Sequence, residues 1–138
     1  MEIDSAVAIE IREVVAKFRA GAEEEAFFEL LEMPGDLLSP LTAAFRTEQD
    51  PALRAFLVKI AWERREPKAI YLLTEALDQT DEEIWQAALD GLVTFASREA
   101  LAVLIAARTR KLTDEATTQR FQSFVSEAIE YIRQTMPR

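Results

Sequence analysis

An all-α fold, built as a stack of about three helix pairs, is predicted by three features of the sequence. Almost every segment carries apolar residues three and four apart, and none sustains an alternation of period two. Pro34, Gly35, Pro51 and Pro67 fall between the periodic segments, where a helix has to stop or start. Finally, "DPALRAFLVKIA" at 50–61 returns 31 positions later as "DEEIWQAALDGL" at 81–92.

The elements follow in order. The first helix spans 4–19, with Ile3, Val7, Ile11, Val14 and Phe18 on one stripe and Gly21 as its C-terminal stop. Further helices are expected at 22–33, 37–47, 51–65, 67–78, 82–96, 98–111 and 114–135. Asp50 precedes Pro51 as an N-cap, and Thr80 or Asp81, Ser97 and Thr113 are expected caps; Thr80 to Glu83 has capping-box spacing. Glu23-Glu24-Glu25, Asp81-Glu82-Glu83 and Asp114-Glu115 stand at helix starts, where acids stabilise exposed amide dipoles. Arg64, Arg65, Arg108, Arg110 and Lys111 stand near helix ends, which favour cations.

Composition bounds the chemistry. The chain has 138 residues, 49% of them hydrophobic and 30% charged, as expected of a single domain over 1–138 with a sizeable core. Cysteine and histidine are absent, which removes disulfides, thiolate nucleophiles, Ser-His-Asp relays and His-ligated metals. No catalytic residue, cofactor or metal site is expected. The opening "MEIDSAVAIEIREVV" has acids where a secretory signal needs bases, and charges interrupt its apolar positions. Neither a signal peptide nor a membrane span is read there, and a cytoplasmic protein is expected. The formal charge of −9 repels phosphate backbones and anionic lipid surfaces and favours basic partners.

The repeat extends beyond one helix. At the offset of 31, Leu53 meets Ile84, Leu57 meets Ala88, Ile60 meets Gly91, Ile70 meets Leu101, Leu73 meets Leu104 and Ala76 meets Ala107. A weaker copy lies upstream, where Leu38, Leu41, Ala44 and Phe45 precede Ile70, Leu73, Ala76 and Leu77 by 32. Three helix pairs result, at 22–47, 50–78 and 81–111, with a cap helix at 1–20 and another at 113–136. One pair cannot cover its own apolar stripes, whereas stacked pairs bury a continuous core. Gly91 inside a helix costs about 1 kcal/mol relative to Ala, so a helix is expected to cross there.

The phrase "DEEIWQAALDGLVTFASREALAVL" resembles the HEAT-repeat family of α-solenoids, and "DPALRAFLVKIAWERREPKAIYLL" resembles it more loosely. The resemblance covers about 22–111. It implies a right-handed α-solenoid, an inner curve lined by the second helices of the pairs, and a scaffold or protein-binding role.

Two faces are candidates for a partner-binding site. Opposite the core side of helix 51–65 stand Val58 and Trp62, which with Leu89 and Val93 of helix 82–96 would form an exposed apolar strip. The second is the inner curve that the resemblance implies, with Lys68, Tyr71, Glu75 and Asp78 on its middle helix. The expected function is a non-enzymatic protein–protein interaction module, with a partner protein of basic or mixed charge, in one form an immunity or inhibitor protein. The alternative is a nucleic-acid-binding or repair protein, since HEAT-like alkylpurine DNA glycosylases share the fold class. Against it, the inner stripe sets only Arg46 and Lys68 against Asp36, Glu75, Asp78 and Glu99. A small enzyme using carboxylates, Lys or Tyr is a third possibility, but no two such groups are placed convergently. No nucleic acid, membrane or small-molecule substrate is expected as a partner.

Overall fold

The computed structural model describes residues 2–136, all of whose regular structure is helical. The helices are α1 (Glu2–Arg19), α2 (Glu23–Glu32), α3 (Leu38–Thr47), α4 (Pro51–Glu63), α5 (Ala69–Leu77), α6 (Glu82–Phe95), α7 (Arg98–Ala107) and α8 (Glu115–Thr135). Each expected helix is present. Ile3 lies outside the residues whose side chains are described.

Local chemistry sets the boundaries. Gly21, at φ +94°, ends α1 in a Schellman turn: its N–H donates to Phe18 O at 3.0 Å, and that of Ala22 to Lys17 O at 2.9 Å. Arg65 closes α4 with the same pair of bonds, at φ 55° and without a glycine. Asp50, Asp81 and Ser97 are the N-caps of α4, α6 and α7, each accepting a backbone N–H of the first turn. Thr80 therefore forms no cap. Thr113 is displaced as the cap of α8 by Asp114, whose carboxylate accepts the Thr117 N–H at 2.7 Å and the Thr117 hydroxyl at 3.0 Å. A carboxylate is the stronger acceptor beside the positive end of the helix dipole.

The helices stack in two layers. In one, α2, α4, α6 and α8 touch in succession; in the other, α1 lies on α3 and α5 on α7. Helices of the two layers pack pairwise, and one continuous core runs from Ile11 through Leu41, Leu57, Leu73 and Leu92 to Ile132. Repeat-related positions share environments: Leu53 and Ile84, Leu57 and Ala88, Leu73 and Leu104 are buried pairs, while Ile70 and Leu101 are both half-buried against the core. α4 sits at the centre, touching α1, α2, α3, α5 and α6.

Arg64 and Arg110 stand at helix ends, as expected, but they fasten the turns between other helices. Arg64, 7% exposed at its side chain, donates from Nη1 to the carbonyls of Leu30, Leu31 and Met33 at 2.6, 3.1 and 2.7 Å, and from Nη2 to Gly35 O at 2.6 Å. These carbonyls stand at the end of α2 and in the following turn, where intrahelical partners run out. Its Nε donates to Glu66, whose buried carboxylate accepts the Leu37 N–H at 3.0 Å. The pair thus holds both sides of the α2–α3 turn. Arg110 repeats the device on the α5–α6 turn, donating to the carbonyls of Leu77, Asp78 and Gln79.

Removing one member of a buried ion pair leaves its partner uncompensated, a loss of about 3–5 kcal/mol. Arg64→Ala is therefore expected to lower the urea-unfolding free energy by about that much. Arg64→Lys should restore only part of it, because an ammonium lacks the planar fork. A loss below about 1 kcal/mol, within the range of a surface pair, would show the clamp to be dispensable.

Candidate functional site

A groove of about 1290 Å³ opens on the α2, α4, α6 and α8 layer. Its floor is made by the repeat itself. α4 contributes Ala52, Ala55, Phe56, Lys59 and Trp62. At the same 31-residue offset, α6 contributes Glu83, Gln86, Ala87, Asp90 and Val93. Leu89 joins them from α6. The α2 wall carries Phe27 and Phe28, and the α8 wall carries Phe124 and Tyr131.

The α4–α6 seam under this floor is tight because of Gly91. A Cβ placed there would stand 2.6 Å from Trp62 Cδ1, 2.8 Å from Trp62 Cγ and 2.9 Å from Leu73 Cδ2. All three are inside the closest approach that carbon atoms tolerate, so the glycine expected to mark a helix crossing does mark one. The Trp62 ring lies across α6 at this point, half-buried, with one side lining the groove.

Aromatic contacts brace the walls. Phe27 meets Phe28 edge-on at 5.4 Å between ring centroids, and Phe56 at 6.5 Å. Phe124 packs on the fully buried Trp85 at 5.9 Å, and Trp85 on Phe121 at 5.1 Å. Phe28 and Tyr131 remain 49% and 54% exposed at the two walls.

The groove is acidic. Glu23, Glu24, Glu83, Asp90 and Glu127 line it, against the single cation Lys59. None of the five carboxylates takes part in an ion pair among the described residues. Lys59 places its ammonium over the Phe27 ring at 5.3 Å from the centroid. Loss of hydration among neighbouring atoms pushes the Asp90 carboxyl above the usual carboxylate range, and Lys59 across the seam pulls it back. Among the described residues, no three acids stand close enough together to hold a metal ion, and no helix is long and apolar enough to cross a membrane.

The residues singled out from sequence divide between two places. Trp62, Leu89 and Val93 line the groove, although Leu89 is buried and Trp62 and Val93 are half-buried. Val58 does not line it. At 0% exposure it belongs to the core, which corrects its assignment to an exposed strip. The physical reason is the central position of α4: with neighbours on five sides, the face opposite its first core stripe is also buried. Tyr71 on α5 and its flanking caps Lys68 and Asp78 are exposed on the other side of the molecule's two layers, with Tyr71 at 68%. Glu75 is held there by a bidentate bond from Arg46, at 2.9 and 2.7 Å. The depression on that side, about 450 Å³, lies between α3 and the start of α5 and reaches Lys68 but not Tyr71, Glu75 or Asp78. The larger of these two concavities is thus on the first-helix layer, and not on the second-helix layer that the resemblance implied.

Residues 38–123 match the family model for HEAT repeats, which is more than half of the chain. The chain belongs to the HEAT-repeat family. No curated protein and no solved structure gave a match. HEAT repeats generally mediate protein–protein interaction, and HEAT-repeat proteins are typically non-enzymatic scaffolds.

Two of the perturbed carboxylates, Asp90 and Glu75, give opposite pH signatures. Asp90 titrates higher in the folded chain than its ordinary 3.8, so its ionised form costs stability as pH rises through the raised value. Glu75 titrates below its ordinary 4.5 through its bond to Arg46, so its stabilisation is present above that value and lost as pH falls through the lowered one. Thermal unfolding at about pH 7 should show a raised Tm for Asp90→Asn and a lowered Tm for Glu75→Gln. Both differences should shrink towards about pH 3. A lowered Tm for Asp90→Asn would contradict this placement.

Proposed function

We propose that this HEAT-repeat chain is a non-enzymatic docking module that binds a partner protein in the groove between the α2 and α8 walls. One observation carries the reading. Five carboxylates without an ion-pair partner among the described residues line one groove whose floor and walls are aromatic. Unmatched charge beside exposed aromatic side chains supplies both the steering and the anchors of a protein interface. The sign of that charge favours a basic partner and disfavours nucleic acid, whose phosphates it repels. Capture of a basic protein by an immunity or inhibitor protein is one form that this function takes.

The test is to place a photo-crosslinking residue at Phe28, at Tyr131 or at Tyr71 and to irradiate cells of the native source. Crosslinks to a discrete protein are expected from positions 28 and 131, with position 71 silent. Crosslinks from position 71 alone, or from none of the three, would contradict the groove as the docking face.

A further inference from the structure

The groove has the volume and the chemistry of an unfilled helix position. Its floor consists of two adjacent helical stripes, and the trough between such stripes is the surface into which the ridge of another helix packs. About three turns of α-helix, roughly 10 Å across and about 16 Å long, displace a volume close to the groove's 1290 Å³. The anchors suit an apolar helix face: Phe56, Trp62 and Leu89 lie beneath it, and Phe28 and Tyr131 stand exposed on either side. The acids suit cationic flanks, since Glu23, Glu24, Glu83 and Glu127 have no ion-pair partner among the described residues. A second copy of this chain is a poor occupant. It carries a net charge of −9, and Lys17, Arg19, Arg46, Arg64, Arg110 and Arg120 are already engaged in ion pairs.

We infer that the groove receives a cationic amphipathic α-helix of a partner protein. The apolar face of that helix lies on Phe56, Trp62 and Leu89, and its Lys or Arg side chains meet the unpaired groove carboxylates. This deepens the docking function proposed above and rests on it. Asp90 sets the register: it lies on the α6 stripe of the floor, across the seam from Lys59. One cation of the incoming helix, its central cation, therefore lies over the floor against Asp90, and not only along the helix edges.

The experiment is selection of a displayed library of random peptides, about 18 residues long to allow five turns, on the folded full-length chain. Enriched peptides should be cationic, with apolar residues at i, i+3, i+4 and i+7. Their affinity should fall about tenfold or more when salt rises from about 50 to about 300 mM. A proline placed in mid-peptide should abolish binding. The double variant Phe28→Ser/Tyr131→Ser should keep its helical circular dichroism and Tm while losing at least about tenfold in affinity, and Asp90→Asn should weaken peptides carrying the central cation more than those without it. Enrichment of acidic or proline-rich extended peptides, no enrichment, or affinity unchanged in the double variant would overturn the inference. Crosslinks from positions 28 and 131 together with non-helical selected peptides would leave the docking face standing and remove only the helical occupant. Crosslinks from position 71 alone would remove the face.

Discussion

The contact between α4 and α6 at Gly91 is the constraint on which the rest of the molecule depends. A stack of helix pairs is stable only when each pair covers the apolar surface of the next. At the middle of this stack the two helices come so close that no Cβ fits between Gly91, Trp62 and Leu73. That approach brings two copies of one repeat stripe side by side and makes them a continuous floor. It also turns Trp62 from a purely outward residue into one that seals the seam with one side and faces the groove with the other. A wider α4–α6 separation would leave two independent helix surfaces in place of one groove.

Charge is distributed by the same stacking. The turns between helices end in carbonyls with no intrahelical partner, and the chain satisfies them with guanidinium groups reaching from neighbouring elements. Arg64 and Arg110 are drawn into the α2–α3 and α5–α6 turns, and Arg54 donates to Phe45 O at 2.9 Å. Arg19, Arg46 and Arg120 hold carboxylates outside the groove. With these cations placed at the turns and flanks, a chain of net charge −9 leaves, among the described residues, five unmatched acids on the α2, α4, α6 and α8 face, besides others such as Glu10, Glu13, Asp36 and Glu99 outside it. The acidity of the groove is therefore a consequence of how the turns are fastened as well as of composition.

Much of the helical framework was legible because short-range chemistry writes it. Gly21, the Asp50-Pro51 pair and Ser97 mark their boundaries by conformation and capping alone. The 31-residue offset located the pairs because burial repeats with it. Val58 was misread since a single core stripe was assumed for α4, whereas a helix enclosed on five sides has no free opposite face. The Arg64–Glu66 pair lies within one short turn, but its partners are carbonyls about 30 residues upstream, which no local pattern reveals. The groove walls carried one overlooked signal: Phe27 and Phe28 are consecutive, so both cannot face the core of one helix. Which layer is concave depends on how the end helices α2 and α8 stand against the stack, and that is a long-range property.

The most direct measurement is the urea-unfolding free energy of Gly91→Ala. Helix propensity alone would make this change stabilising by about 1 kcal/mol. Crowding against the Trp62 ring and Leu73 should outweigh that gain, with a net loss of about 1–2 kcal/mol and a Trp62 emission shifted by displacement of the ring. A variant as stable as the parent, or more stable, would mean that α4 and α6 do not meet at this glycine and that the floor of the groove is not set by their contact.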